Sequence, residues 1–153
     1  MECAEGDNFL IDRMAECDIR QAAALEAAVF SMPWSEQGFS DALSQKDNIF
    51  LVARMQDGKI AGYCGLYAAA DEGEITNVAV EDSLRGCGIG FSLVENMKQR
   101  AKVQGIARIF LEVRVSNERA RHLYEKAGFT VCGTRRNFYQ KPVEDAHVMC
   151  CEL

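Results

Sequence analysis

Three features of the chain carry residue types that can do chemistry. The first is the turn Arg85-Gly86-Cys87-Gly88-Ile89-Gly90, which follows the apolar strand Asn77-Val78-Ala79-Val80 and opens an amphipathic helix closed by Gly105. The first N–H groups of a helix lack intrahelical partners, and the helix dipole adds partial positive charge there, so that end favours an anion such as a phosphate. Glycines let the backbone come close to such a ligand. The same cluster also suits a turn that merely turns tightly. The second feature is Glu112, inside the apolar run Ile109-Phe110-Leu111-Glu112-Val113-Arg114-Val115. Strand alternation puts Phe110 and Arg114 on its face and Leu111, Val113 and Val115 on the other. Glu112 is therefore partly buried, lines a cavity, or is a surface carboxylate paired with Arg114. The third is Tyr124, on the inward face of a short helix, where an aromatic is either core or a phenol that keeps its proton at neutral pH.

Other chemistries drop out. The chain has no GxxxxGK run followed by Ser or Thr, and a GxGxxG fingerprint fails because Phe91 stands where the third glycine belongs. With two histidines, His122 and His147, no paired Cys/His spacing and no GxSxG elbow, neither a zinc site nor a serine-histidine triad is expected, so no metal. Seven scattered cysteines without a CxxC pair read as reduced thiols. A net charge of -6 argues against direct nucleic-acid binding and suits a small basic protein or peptide as partner. No apolar run reaches the roughly 18 residues of a membrane span, and the start Met1-Glu2-Cys3-Ala4-Glu5 is acidic where a signal peptide is basic; a cytoplasmic protein without membrane contact is expected.

The elements that position these residues follow from periodicity. With 153 residues, 48% of them hydrophobic, the chain can build one compact domain over 1–153. A first strand is expected over Asn8 to Met14, then a helix from Asp18 to Val29 on the spacing of Ile19, Ala22, Leu25 and Val29. Met32-Pro33-Trp34 interrupts it, and Ser35 caps a second helix with Phe39, Ala42 and Leu43 on one face. Ile49 to Ala53 and Ile60 to Ala69 form a hairpin about Asp57-Gly58, and a turn at Asp71-Glu72-Gly73 leads to the strand ending at Val80. Leu93, Val94, Met97 and Ala101 make the inward stripe of the next helix. Ser116 or Asn117 caps a helix bearing Ala120, Leu123, Tyr124 and Ala127 and closed at Gly128; Phe129 to Thr134 and Ala146 to Cys151 are the last strands. The order is β-α-α-β-β-β-α-β-α-β-β, an α+β fold whose mixed, mostly antiparallel sheet has helices on both faces and one parallel crossover.

The stretch Arg85-x-x-Gly88-x-Gly90, after a strand ending Asn77-Val78-Ala79-Val80, resembles the acetyl-CoA site of the GCN5-related N-acetyltransferases. The resemblance extends to Pro33-Trp34-Ser35-Glu36, Leu111-Glu112-Val113-Arg114-x-Ser116-Asn117, Leu123-Tyr124-Glu125-x-x-Gly128-Phe129, and Arg135-Arg136-Asn137-Phe138-Tyr139 with Glu144-Asp145-Ala146. Together these look like the bacterial branch of that family that acetylates the N-terminal alanine of a small-subunit ribosomal protein. The resemblance implies acetyl-CoA as co-substrate, its pyrophosphate on the backbone of Arg85, Gly86, Cys87, Gly88, Ile89, Gly90 and Phe91. The backbone of Val78, Ala79 and Val80 would hold the pantetheine arm, with a contact from Asn117, which is otherwise a helix cap. It gives Glu112 the role of base and Tyr124 that of acid toward the departing thiolate, and places Trp34, Arg136 and Tyr139 at the acceptor, with Glu144 or Asp145 nearby. Without the family, Trp34 is a core anchor, Arg135-Arg136 a solvated pair and Tyr139 an edge residue. Cys87 and Phe91 are neutral where relatives often carry a basic residue, which weakens charge contacts to phosphate. Valine at Gly88 or Gly90 is expected to close the cradle and leave the fold intact. The implied partner is a protein N-terminus met by a monomer or weak dimer. The alternatives are an enzyme acting on a lysine or a small amine, or a CoA-binding module without turnover.

Overall fold

The computed structural model describes residues 8–153. Strand β1 (Phe9–Arg13) and a 3-10 turn lead into α1 (Ile19–Val29) and, past Pro33-Trp34, α2 (Glu36–Ser44). The Ser35 hydroxyl accepts from the Gly38 N–H at 3.1 Å, the cap that starts α2. A meander of β2 (Ile49–Met55), β3 (Ile60–Ala69) and β4 (Glu72–Val80) follows. Then come α3 (Ile89–Gln104), β5 (Arg108–Arg114), α4 (Glu118–Lys126), β6 (Thr130–Gln140) and β7 (Val143–Glu152). They form one seven-stranded sheet in the order β1-β2-β3-β4-β5-β7-β6, the α+β arrangement expected from the periodicity. Among the described residues its only parallel step is β4 to β5, joined through α3.

Two cores sandwich the sheet. Phe39, Ala42, Phe50, Val52 and Tyr63 lie under α1 and α2, and Leu93, Val94, Met97, Leu111, Tyr124 and Phe129 lie under α3 and α4. The predicted stripe of α3 is completely buried, and the helix ends at Gly105 in the left-handed conformation, φ 96°. No helix among the described residues is long and apolar enough to cross a membrane.

Some boundaries differ from expectation. The turn before β4 is made by Ala70, at φ 55°, and Asp71, because Glu72 and Gly73 are drawn into the ladder opposite Ala69 and Ala68. Strand β6 runs on to Gln140, taking in Arg135 to Tyr139, because β7 begins at Val143 and offers a partner that far. The reading of the cysteines as reduced thiols is corrected: Cys132 and Cys150 are joined by a disulfide, Cα to Cα 6.3 Å. Thr130 pairs with Cys150, and Cys132 lies two residues on, on the same face and inside a bulge, so it reaches Cys150 diagonally. That juxtaposition exists only once β6 and β7 are in register.

Candidate active site

Parallel pairing between β4 and β5 covers only Glu72 to Glu74 against Arg108 to Phe110. Beyond it the strands part. A bulge in β4, between Ile75 opposite Leu66 and Asn77 opposite Gly65, inserts Thr76 and bends β4 away from β5. Among the described residues no strand pairs with the edge of β4 from Ile75 to Val80 on its β5 side, which leaves backbone groups facing the gap. A cleft of about 650 Å³ occupies it.

The catalytic candidates reach this gap from opposite faces of the sheet. Glu112 extends from the α1/α2 face and Tyr124 from under α4, and both line the cleft. The Glu112 side chain is 9% exposed; burial, then a hydrogen bond and repulsion from Glu74, push its carboxyl up to about 7. Its cationic partner is Arg135 of β6, Nε to Oε1 3.3 Å, and not Arg114. Arg114 instead pairs with Glu144 at 3.2 Å, and its guanidinium sits 4.3 Å from the Tyr139 ring centre. Glu144 also accepts from the Ser116 N–H at 2.6 Å, which ties the end of β5 to β7. Tyr124 is 8% exposed and packs on Phe129, and burial raises its hydroxyl well above the usual phenol range. It remains a proton donor at any physiological pH.

The turn after β4 leads into the start of α3. Gly88 caps α3 at φ 81° with open space around its missing side chain, and the Ser92 N–H is the first to bond back, to the Gly88 carbonyl at 3.0 Å. The N–H groups of Ile89, Gly90 and Phe91 therefore precede the intrahelical ladder, a donor set that fits a pyrophosphate. A Cβ at Gly90 would come 2.8 Å from Leu123 Cδ1, so the Leu123 side chain on α4 would have to move. Arg85 lines the cleft while pairing with Asp82 at 3.3 Å. Asn117 caps α4, its Oδ1 accepting from the Ala120 N–H at 3.1 Å, and also lines the cleft. Lys126 lies 4.6 Å over the Phe91 ring, a cation beside a helix start that carries none of its own.

The lips of the cleft are apolar. Phe30 and Met32, before the Pro-Trp elbow, line it together with Phe138, and all three are exposed. Trp34 lines the cleft and stacks on Tyr67 at 5.8 Å. Asn137, at φ 52°, bulges β6 between Arg135 and Tyr139, which brings Phe138 and Tyr139 to the cleft. Arg136 is exposed and does not line it, so the structure does not bring this predicted residue to the others. Two contributors went unread in the sequence. Glu26, 1% exposed on α1, accepts from Tyr63 at 2.5 Å, from Asn77 at 2.8 Å and from the Trp34 N–H at 3.0 Å, fixing the elbow to β3 and β4. A charged residue four positions after Ala22 on the inward stripe was its signal. Glu74 had none, because an exposed-looking carboxylate in an alternating strand is ordinary.

A sheet parted between parallel strands, a glycine turn at the start of α3, and Glu112 and Tyr124 lining one cleft are what the site presents. Residues 17–129 match the Acetyltransferase (GNAT) family, and the chain belongs to it. It is an acetyl-CoA-dependent N-acetyltransferase. It is 33% identical over 145 residues to the ribosomal protein bS18-alanine N-acetyltransferase of Escherichia coli (strain K12), covering 94% of this chain and 97% of that one. The corresponding enzyme of Haemophilus influenzae is 31% identical over 147 residues, covering 94% and 99%. The crystal structure of the ribosomal-protein-S18-alanine N-acetyltransferase from Escherichia coli superposes with a TM-score of 0.85 at 30% identity, covering 95% of this chain and 94% of that one.

Proposed function

We propose that this chain is a cytoplasmic protein N-α-acetyltransferase that moves an acetyl group from acetyl-CoA to the N-terminal alanine of a small-subunit ribosomal protein. The observation that carries this reading is that Glu112 and Tyr124 line one cleft, together with the exposed Phe30, Met32 and Phe138. The relatives' acceptor, bS18, supports the choice of substrate. Acetyl-CoA supplies an activated acyl group as its thioester. Backbone donors of Gly86 to Phe91, with Arg85, hold its phosphates, and the free edge of β4 at Val78 to Val80 and Asn117 hold the pantetheine arm. The chain's own groups then act on the acceptor. Trp34 and Tyr139 flank it, Glu112 Oε accepts the proton of its ammonium, and the Tyr124 hydroxyl donates to the leaving sulfur. No covalent acyl-enzyme is needed, because the amine attacks within a ternary complex.

The acceptor preference is geometric. An α-amine is followed at once by backbone amides that the cleft can grip, whereas lysine holds its amine on a flexible stem. With a pKa near 8 against about 10.4, the α-amine also offers roughly a hundredfold more free base at neutral pH. A peptide beginning with free alanine should be acetylated far faster than the same peptide with a blocked terminus and an internal lysine, as read by mass spectrometry. Preferential modification of the lysine would overturn the reading.

A further inference from the structure

One lip of the cleft, residues 30–34, is held at both ends by a single residue of α1. The backbone carbonyl of Glu26 accepts from the Phe30 N–H at 2.9 Å, and its carboxylate accepts from the Trp34 N–H at 3.0 Å. Between those two bonds the chain carries Met32, 60% exposed, and Pro33, which has no N–H to donate. Phe30, Met32 and Trp34 all line the cleft. The same carboxylate also reaches the strand behind the lip. Asn77 Nδ2 lies 2.8 Å from both of its oxygens, and the Tyr63 hydroxyl donates to Oε1 at 2.5 Å. Asn77 stands on β4 just past the Thr76 bulge, where pairing with β5 has ended. One side chain, 1% exposed, therefore ties the lip to the free strand edge.

These partners are all donors and none is a cation, an expensive way to bury a carboxylate if packing were the only gain. An apolar side chain of the same size fills such a space without that cost. What the carboxylate adds is a fixed place for the backbone of the lip. Contacts of Trp34 with Phe39, Phe50 and Tyr67 hold its indole, but they leave the backbone of residues 31–33 to Glu26. We propose that Glu26 is a positioning residue for the acceptor, holding the lip of residues 30–34 in its peptide-binding place relative to β4. A lip already in place spares the complex the cost of ordering it when the peptide arrives. This rests on the reading above, in which the cleft takes the acceptor's N-terminus.

The test is Glu26→Met, which keeps the length of the side chain and removes its acceptors, beside Glu26→Gln, which keeps one oxygen. With an alanine-terminated peptide, KM should rise about tenfold or more in the Met variant and by more than kcat falls, while acetyl-CoA affinity by calorimetry stays within about twofold of wild type. The Gln variant should fall between. Asp18→Asn loosens the other end of α1 and shows what lost stability alone does; its peptide KM should match the wild type. A peptide KM unchanged in Glu26→Met, or raised as much by Asp18→Asn, overturns the proposal. Amide hydrogen exchange in the wild-type chain, read by NMR, gives an answer even where the Met variant does not fold. The Trp34 N–H should be protected before any peptide is added, and a freely exchanging Trp34 N–H overturns the proposal. If the wild type acetylates an internal lysine in place of the free alanine, the N-terminal reading falls, and the same KM comparison on the lysine peptide decides the role of the lip.

Discussion

Chemistry at the residue scale turns on a carboxyl group held in the wrong solvent. The ordinary value for Glu112 is 4.5, and burial beside Glu74 raises it to about 7, near the pH at which an amine must be deprotonated. The acid limb of kcat/KM should accordingly lie near pH 7. Glu112→Gln should lower kcat by about 100-fold to 10,000-fold at neutral pH and recover in part at high pH, with acetyl-CoA affinity by calorimetry unchanged. Tyr124→Phe should behave alike, without the recovery. The same shift fixes a stability effect. A group whose folded pKa is raised contributes stability that is complete below its unfolded value and is lost as pH rises through the folded one. Glu112→Gln should therefore raise Tm above pH 7 and change it little below pH 4. Equal Tm differences at both pH values would refute the linkage.

Two glycines in one turn have different jobs at the element scale. Gly88 sits at φ 81° with nothing near it, so Gly88→Ala costs about 1–2 kcal/mol of left-handed strain and crowds the anion site. Gly90 is where Leu123 of α4 touches α3, and Gly90→Ala must displace the Leu123 side chain. We expect both variants to weaken acetyl-CoA binding. Only Gly90→Ala should also disturb the near-UV circular dichroism of Tyr124 and Phe129, since α4 carries Tyr124 and leads into Phe129. An undisturbed spectrum would return Gly90 to the role of pure cradle.

For the whole molecule, the approach to the sheet is set by a few long-range ties and by net charge. Asp18, 2% exposed, takes both guanidinium nitrogens of Arg54 at 2.9 Å and anchors the start of α1 to β2. The Arg54 hydrogen bond holds the Asp18 carboxyl below its usual range, so this contribution is present above about pH 4 and lost as pH falls through the lowered value. Asp18→Asn should cost about 1.5–3 kcal/mol at pH 7, and the difference from wild type in urea unfolding should shrink toward acid. A chain of net charge -6 should also capture a basic N-terminal peptide faster at low salt. Its kcat/KM for such a peptide should fall as ionic strength rises while that for a neutral peptide holds steady.

By itself the sequence determined whatever depends on neighbours along the chain. Periodicity placed the strands and helices, Ser35 marked one cap and Ser116 or Asn117 another, and the glycine turn after Val80 marked the start of a helix, because each signal is complete within one or two turns of backbone. It also put Glu112 on the right face of its strand. What only the tertiary structure decided is which residues from separate strands share a space. The Thr76 bulge opens β4 from β5, and that opening joins Glu112 and Tyr124 from opposite faces. The register of the parallel step sets Glu74 opposite Phe110, two residues before Glu112. The bulge about Asn137 turns Phe138 and Tyr139 inward and leaves Arg136 outside, and the β6–β7 register brings Cys132 to Cys150. Strand pairing between distant segments is fixed by global packing, and a one-residue slip would send each of these side chains to the other face, so no local pattern could state it.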